Sequence, residues 1–368
     1  MTVALGMCGL VLDSAMAGGL KYSSDDAYLK LGGRIQLQYH YTDPDSGDSS
    51  DDLLFRRLRP YIEGSLHKDW KGKWQFDLGK GKIEIKDAYA QYTGFPLATV
   101  SLGNKAFPFS REFLTSSKKQ QLVERTFVGD HNYGTPDRQV GLHLAGGLIE
   151  DMLRWDLSAA MGAVDPGNSK LDFDSVASLN SGDDWIEGRM IGGRVELFPL
   201  GYFKPEQGDF KGDFRVALGA AAFTWQNDDD AMADEGENVD DVTGFEVGAA
   251  LRGLGASLDA QYNSFDASLI DGEAGMHGIY KDGDTTLENY AVEGGFMVWP
   301  RTIEVVAGYQ AQDADGYADE WTRTSFGLNW FLKKQDVKCQ LTYRMGENKD
   351  GKAGKDVDEI FLQYQYVF

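Results

Sequence analysis

Between Tyr28 and Tyr41 the chain alternates residue by residue. Leu29, Leu31, Ile35, Leu37, Tyr39 and Tyr41 share one parity, and Lys30, Arg34, Gln36, Gln38 and His40 share the other. Successive side chains of a strand point to opposite faces, so this stretch predicts a long two-faced strand, apolar on one side and polar on the other. The pattern returns along the chain. Trp70, Trp74, Phe76 and Leu78 oppose Lys71, Lys73, Gln75 and Asp77, and Leu258, Ala260 and Tyr262 oppose Asp259, Gln261 and Asn263. Val337, Cys339, Leu341 and Tyr343 oppose Lys338, Gln340 and Arg344. Sixteen such segments are read, starting near residues 28, 54, 70, 83, 98, 138, 153, 188, 213, 243, 254, 289, 301, 321, 336 and 357. The last is DEIFLQYQYVF, with Ile360, Leu362, Tyr364, Tyr366 and Phe368 on its apolar face.

The connections differ on alternate sides. After odd-numbered segments they are long, spanning 43–52, 106–137, 164–185, 226–241, 266–287, 311–320 and 346–356, apart from a short one near residue 80. After even-numbered segments they are mostly tight, as at His67-Lys68-Asp69, Arg252-Gly253, Trp299-Pro300-Arg301 and Lys333 to Gln335. Long loops on one rim and short turns on the other are the layout of an outer-membrane barrel with both termini on the short-turn rim. An open sheet would leave two edges, and each unpaired peptide group costs several kcal/mol in lipid. The final strand must therefore pair with the first. The expectation is an all-β fold, a 16-stranded antiparallel transmembrane β-barrel over residues 28–368.

Composition sharpens this in two places. The chain has 368 residues and a formal net charge of −22, and no apolar run of about 18 residues occurs beyond its start, which excludes transmembrane helices. The opening run MTVALGMCGLVLDSAMA ends in Ala15-Met16-Ala17, an A-x-A export site after an apolar stretch. Residues 1–17 read as a signal peptide that lacks the usual basic start, as it would if the leader began before Met1, and 18–27 as a short periplasmic segment. Without the leader and its Cys8, Cys339 is the only thiol, so no internal disulfide is expected. Histidine and cysteine are too sparse for a metal centre, and neither a cofactor nor a nucleic-acid partner is expected.

The negative charge sits in the long loops, so the strands and turns are net basic. An Arg turned to lipid at mid-bilayer would cost roughly 2–4 kcal/mol, which sends the strand cations inward. Parity turns Arg34, Lys71 and Lys73 to the lumen, and Arg57 and Arg59 of FRRLRP join them. Lumen carboxylates such as Glu63, Asp77 and Asp87 leave two readings, a lattice of ion pairs across a filled wall or a hydrated channel with basic tracks. Glu63 is the expected partner of the Arg57 and Arg59 pair if no anion intervenes.

Residues 84–125 are more specific: EIKDAYAQYTGF, then VSLGNKAFPFSREFLTSSKKQQLVERT. Asp87-Ala88-Tyr89, Gly103-Asn104, Pro108-Phe109-Ser110, Leu114-Thr115-Ser116-Ser117 and Glu124-Arg125 together resemble the phosphate-selective porin O and P family. FRRLRPYIEG and the C-terminal strand fit the same likeness, which then spans Tyr28 to Phe368. It implies a homotrimeric outer-membrane porin that passes anions, with loop 106–137 folded into the barrel as a constriction. It adds Lys105, Arg111 and Arg125 to the candidate anion-binding set, beside Lys118, Lys119 and Arg138. The sequence departs from the family at Lys105, which stands one place early, with Ala106 in the usual slot, and loop 106–137 has no net charge.

The leading expectation is passive diffusion of small hydrophilic solutes with a modest preference for inorganic anions such as phosphate. Outer-membrane lipid and lipopolysaccharide are the other expected partners. The alternatives are a general or cation-preferring pore and a structural or adhesive barrel. A barrel enzyme is disfavoured, because the five histidines form no usable Ser/His pattern.

Overall fold

The computed structural model describes residues 11–12, 20–23, 27–162, 164, 170–173, 188–227, 239–270 and 275–368. Most of the expected signal peptide lies outside the described residues, as do most residues of the loops expected at 164–185 and 226–241.

Sixteen antiparallel strands form one closed sheet. In chain order they are β1 Tyr28–Pro44, β2 Ser50–His67, β3 Trp70–Asp77, β4 Glu84–Tyr92, β5 Thr99–Ala106 and β6 Arg138–Leu148. There follow β7 Leu153–Met161, β8 Gly188–Leu197, β9 Arg215–Asn227, β10 Val239–Gly253 and β11 Ala256–Leu269. The last five are β12 Asp284–Trp299, β13 Ile303–Asp313, β14 Trp321–Lys333, β15 Val337–Glu347 and β16 Val357–Val367. Each expected segment has its strand. Several strands run on past the expected ends, so that the connection read at 43–52 shortens to the residues between Pro44 and Ser50.

Closure occurs where the pattern demanded it. β16 pairs with β1, with Tyr364 opposite Leu37 and Ile360 opposite Tyr41. Phe368 completes the seam through two backbone bonds to Gly33, at 2.9 and 3.0 Å. A Cβ at Gly33 would stand 2.8 Å from the Phe368 ring, so only glycine lets the terminal aromatic lie across the first strand here. Leu362, Tyr364, Tyr366 and Phe368 are exposed on the outside, whereas Gln363 and Gln365 are buried within. The same sorting holds around the wall. Phe326, Leu328 and Trp330 face out, and Lys338, Gln340, Asn329 and Asn289 face in.

Two of the β-bulges where simple parity fails carry a cation. Gln36 pairs with Arg57 and Leu37 with Phe55, which leaves Arg56 as the extra residue of β2. Gln75 pairs with Asp87 and Phe76 with Ile85, which leaves Lys86 as the extra residue of β4. A bulge resets the alternation. Below the first bulge Leu58 and Ile62 face lipid; above it Phe55 and Leu53 do. Strict alternation would place both cations on the lipid side. The bulges turn them inward instead.

The wall is uneven in height. β2 has 18 residues, but β3, β4 and β5 have 8, 9 and 8. The ladder between β2 and β3 reaches only Tyr61, with one further bond from Leu78 to the Leu58 carbonyl. Because β5 stops at Ala106, the chain leaves the wall partway up and turns into the lumen.

The lumen is not uniformly wet. Phe107 and Phe109 enter it and pack against Phe223 and Phe265, with ring centroids 5.0–6.0 Å apart. Phe173, Trp225, Val242 and Leu287 complete a dry cluster. The upper inner faces of β9 to β12 are therefore apolar, contrary to the expectation of a polar lumen throughout. This local reversal anchors the inserted loop by burying its aromatic start.

Candidate functional site

The inserted loop, residues 107–137, lies against one side of the barrel. Its backbone is held by polar side chains of the far wall. Gln261 accepts from the Glu112 amide at 2.6 Å and Gln310 from the Phe127 amide at 2.9 Å. Asn263 donates to the Val128 carbonyl, Asn329 to that of Gln121, and Lys338 and Gln340 to that of Gln120. A helical turn at Arg111–Leu114 is capped by Ser110, whose hydroxyl accepts from the Phe113 amide at 3.2 Å. Buried Gln and Asn rows thus give an inserted loop the hydrogen bonds that water would otherwise supply.

With the loop lying toward β8 to β16, two cavities lie between it and β1 to β6. The inner one, of about 320 Å³, is lined by Lys30, Arg34, Arg59, Glu63, Lys73 and Asp87 from the wall and by Ser116, Ser117, Lys118 and Arg125 from the loop, with Arg138 beside them. The outer one, of about 210 Å³, is lined by Arg56, Arg57, Lys80, Lys86, Glu124, Asp130, His131 and Asp137 among others. Both cavities touch Arg59, Arg125 and Arg138, so these three guanidiniums mark the narrow point between them. The inner cavity has seven basic side chains against two carboxylates. The outer has seven against five, with His131 in addition.

The cations divide into paired and unpaired. Arg59 Nε lies 2.6 Å from Asp77, which also accepts from the Leu58 and Gly79 amides. Lys73 and Arg138 share Asp87; Arg138 also bonds Asp137 at 2.9 Å, and Lys86 stands 3.3 Å from the same carboxylate. Arg56 grips Glu124 of the loop with two bonds, at 2.6 and 2.8 Å. Arg34 is different. Among the described residues it has no carboxylate at ion-pairing distance; its one hydrogen bond, to Ser116 Oγ, is 3.4 Å long, and its Nε has no protein partner. The Nε atoms of Arg57 and Arg125 and the hydroxyl of Ser117 likewise have no protein partner. Lys30 rests over the Tyr61 ring at 5.5 Å.

Burial and charge set the protonation of the loop. Burial works against ionisation of Asp137 and Glu124, yet Lys86 and Arg138 for the first, and Arg56 and Arg57 for the second, hold both well below the usual carboxylate range. Burial also opposes charging of His131, but its bond to Asp172 and the charges of Asp130 and Asp137 outweigh it and raise the imidazole to about 9. Glu112 moves the other way. Burial lifts it to about 7, although the Thr126 hydroxyl and amide and Arg125 favour its charged form.

The candidate residues read from the sequence fall into distinct places. Arg34, Arg59, Lys73 and Arg125 line the inner cavity, and Arg57 lines the outer one. Lys71 is exposed on β3 and lines neither. Lys105 is half-buried beside them, 3.5 Å from Ser101 Oγ and over the Tyr89 ring at 6.0 Å. Gly103, at φ +127°, lets β5 pass so close to Ala88 that a Cβ would stand 2.3 Å from its carbonyl oxygen. Arg111 points to the far wall, 2.5 Å from Glu196 and 3.7 Å from Asp259, and lines neither cavity. The expected Glu63 partnership also differs: Arg59 pairs with Asp77, while Glu63 accepts from the Tyr28 hydroxyl at 3.1 Å. Sequence reasoning left Lys30, Lys80 and Lys86 out of the set. Lys30 shares the inward parity of Arg34 and was legible; Lys86 was hidden by its bulge.

A closed 16-stranded antiparallel barrel with an apolar belt, an inserted loop and a charged passage beside it is an outer-membrane porin. Comparison with known proteins agrees with this class. Residues 29–170 match the family Phosphate-selective porin O and P, a stretch that includes residues 84–125, where the sequence resembles that family. Porin O of Pseudomonas aeruginosa is 32% identical over 174 residues, covering 44% of this chain and 39% of that protein. An uncharacterised protein of Aquifex aeolicus is 24% identical over 388 residues, covering 92% of this chain and 86% of its own length. Among solved structures, OmpT of Vibrio cholerae aligns over 94% of this chain and 99% of its own, with a TM-score of 0.59 and 14% identity. The outer membrane channel DcaP of Acinetobacter baumannii covers 95% of this chain and all of its own, with a TM-score of 0.58 and 16% identity. The protein resides in the outer membrane of a Gram-negative bacterium.

Proposed function

We propose that the porin passes small hydrophilic solutes with a preference for anions, phosphate among them, along the β1 to β6 wall. The observation that carries this is the inner cavity, where basic side chains outnumber carboxylates and where, among the described residues, Arg34 and Lys118 have no counter-charge bonded to them. Anions would move between guanidinium and ammonium groups by short-lived contacts, since conduction needs binding weak enough to release. Hydrogen bonds of charged donors to an anion contribute about 1.5–3 kcal/mol each, and the paired state of Arg59, Lys73 and Arg138 keeps the passage from holding one too tightly. The family likeness supports the same direction of selectivity. The acidic loops oppose it at low salt, over a Debye length of about 8 Å at physiological strength.

Reversal potential in planar bilayers under a potassium chloride gradient tests the proposal. An anion-selective sign is expected, moving toward zero in Arg34→Ala and Lys118→Ala; a cation-selective sign in the unaltered protein would refute it. Conductance in mixed chloride and phosphate would then rank the anions. We also infer a homotrimer joined along the low wall. Above Leu58 the β2 edge is unpaired toward β3, and Leu53 and Phe55 are exposed beside it. OmpT of Vibrio cholerae has been solved in a trimer form with a TM-score of 0.57 to this chain. Cross-linking in detergent is expected to stop at three copies.

A further inference from the structure

The short-turn rim has one connection that is not short. Residues 198–214, between β8 and β9, leave the rim and rise into the barrel beneath the inserted loop. Their base is fixed by packing of Phe198 and Phe203 with Ala217 and Ala250. Asp209 ties the ascending turn, accepting from the amides of Lys211, Gly212 and Gly255 at 2.8–3.1 Å. Phe210 sets its ring 4.9 Å from that of Phe331, and Arg301 donates to the Phe210 carbonyl at 3.0 Å.

At the top of this segment stands Gln207, 2% exposed. All four of its polar groups are engaged, by three different parts of the protein. Its amide donates to the Lys119 carbonyl at 3.0 Å, and its Oε1 accepts from the Gln121 amide at 2.7 Å. Its Nε2 donates to Glu293 of β12 at 2.6 Å, and its carbonyl accepts from Gln335, in the β14 to β15 turn, at 3.0 Å. The adjacent Glu206 pairs with Lys119 at 3.0 Å, and its carbonyl accepts from Arg252 at 2.7 Å. The loop inserted from the outer rim is thus met from below by a segment that bonds it on both sides of Gln120.

The residues so held directly adjoin those that face the passage. Ser116, Ser117 and Lys118 line the inner cavity; Lys119 and Gln121 do not. We propose that residues 198–214 act as a strut and that Gln207 is a positioning residue for the constriction. By fixing Lys119 to Gln121 it sets how far Ser116 to Lys118 project into the passage, and so sets the permeability ratio of the pore. This rests on the porin reading but not on the sign of its selectivity.

The experiment is a charge exchange across the Lys119–Glu206 pair, with reversal potential and current noise measured for Lys119→Glu, Glu206→Lys and the double variant. If these charges act only through their field, the two single variants shift the permeability ratio in opposite directions. If the strut positions the constriction, both singles move the ratio toward unity, by about twofold or more for the loss of a charge-assisted contact. Both also raise the noise, and the double variant restores both readings. Gln207→Ala, which changes no charge, is expected to act as the singles do. Its fold is checked by heat-modifiable migration in detergent, and the charge exchange decides the matter should that variant fail to fold. Opposite shifts, or a double variant no better than the singles, would overturn the strut. A cation-selective unaltered protein would overturn the anion proposal and leave this test intact.

Discussion

Arg56 and Lys86 lie at positions where strict alternation would expose a cation to lipid, at roughly 2–4 kcal/mol each. One extra residue in each strand turns that cost into a contact. Arg56 holds Glu124 of the inserted loop, and Lys86 holds Asp137 at the loop's end. These bulges couple the wall to the constriction. Arg56→Met leaves Glu124 buried without its bidentate partner, and breaking such a pair costs about 3–5 kcal/mol. Denaturant unfolding in micelles is expected to show that loss, with Arg56→Lys intermediate. Arg34→Ala removes no ion pair and should leave the unfolding midpoint near that of the unaltered protein, while lowering anion permeability. A large stability loss in Arg34→Ala would mean that its charge is structurally compensated after all. The bulges also explain what the sequence hid. Parity alone reads Arg57 and Arg59 correctly but assigns Arg56 and Lys86 to the wrong side, because a bulge is a two-strand event and one strand's alternation has no signal for it.

At the scale of elements, the strands were legible from alternation, the insertion of loop 106–137 only from the family likeness, and the insertion of residues 198–214 from neither. Each strand reports its own two faces, so sixteen alternating segments predict sixteen strands. An inserted loop satisfies its backbone through residues distant in sequence, such as Gln261, Gln310 and Asn329, and no local pattern marks them as loop partners. The aromatic cluster at Phe107, Phe109, Phe223 and Phe265 is hidden for the same reason. The passage-side face of the loop was more readable, because Lys118 and Arg125 lie in the stretch that carries the family likeness. Residues 171–173 pack onto the loop as well: Phe173 donates its amide to the His131 carbonyl, and the Leu171 carbonyl accepts from the Gly134 amide. His131 and Asp172 close this contact at 2.7 Å. With the imidazole raised from 6.5 to about 9, its ion pair contributes fully below about pH 6.5 and is lost as pH rises through 9. Channel noise is therefore expected to grow between pH 8 and about 10 and to lose that dependence in His131→Gln. Noise flat with pH in the unaltered protein would exclude this role.

At the scale of the whole molecule, the barrel is divided lengthwise. One side is filled by the inserted loop, the aromatic cluster and the strut; there Arg111 is paired with Glu196 and Arg252 with Asp259, and Lys338 is held by the Gln120 carbonyl and the Gln335 side chain. The other side, along the low wall, holds the two basic cavities and Arg34. The ion-pair lattice read from the sequence is present on the filled side, and a channel with basic tracks is what is proposed for the other. The central claim is that solutes cross between Ser116 to Lys118 and the β1 to β6 wall. The most direct measurement places a thiol there, Ser116→Cys with Cys339→Ser, and follows single-channel current during exposure to charged thiosulfonate reagents. The account predicts that the negatively charged reagent reacts faster than the positive one and reduces the current, while a thiol at buried Ser257 on the filled side stays unmodified. No reaction at position 116, or faster reaction with the cation, would contradict it.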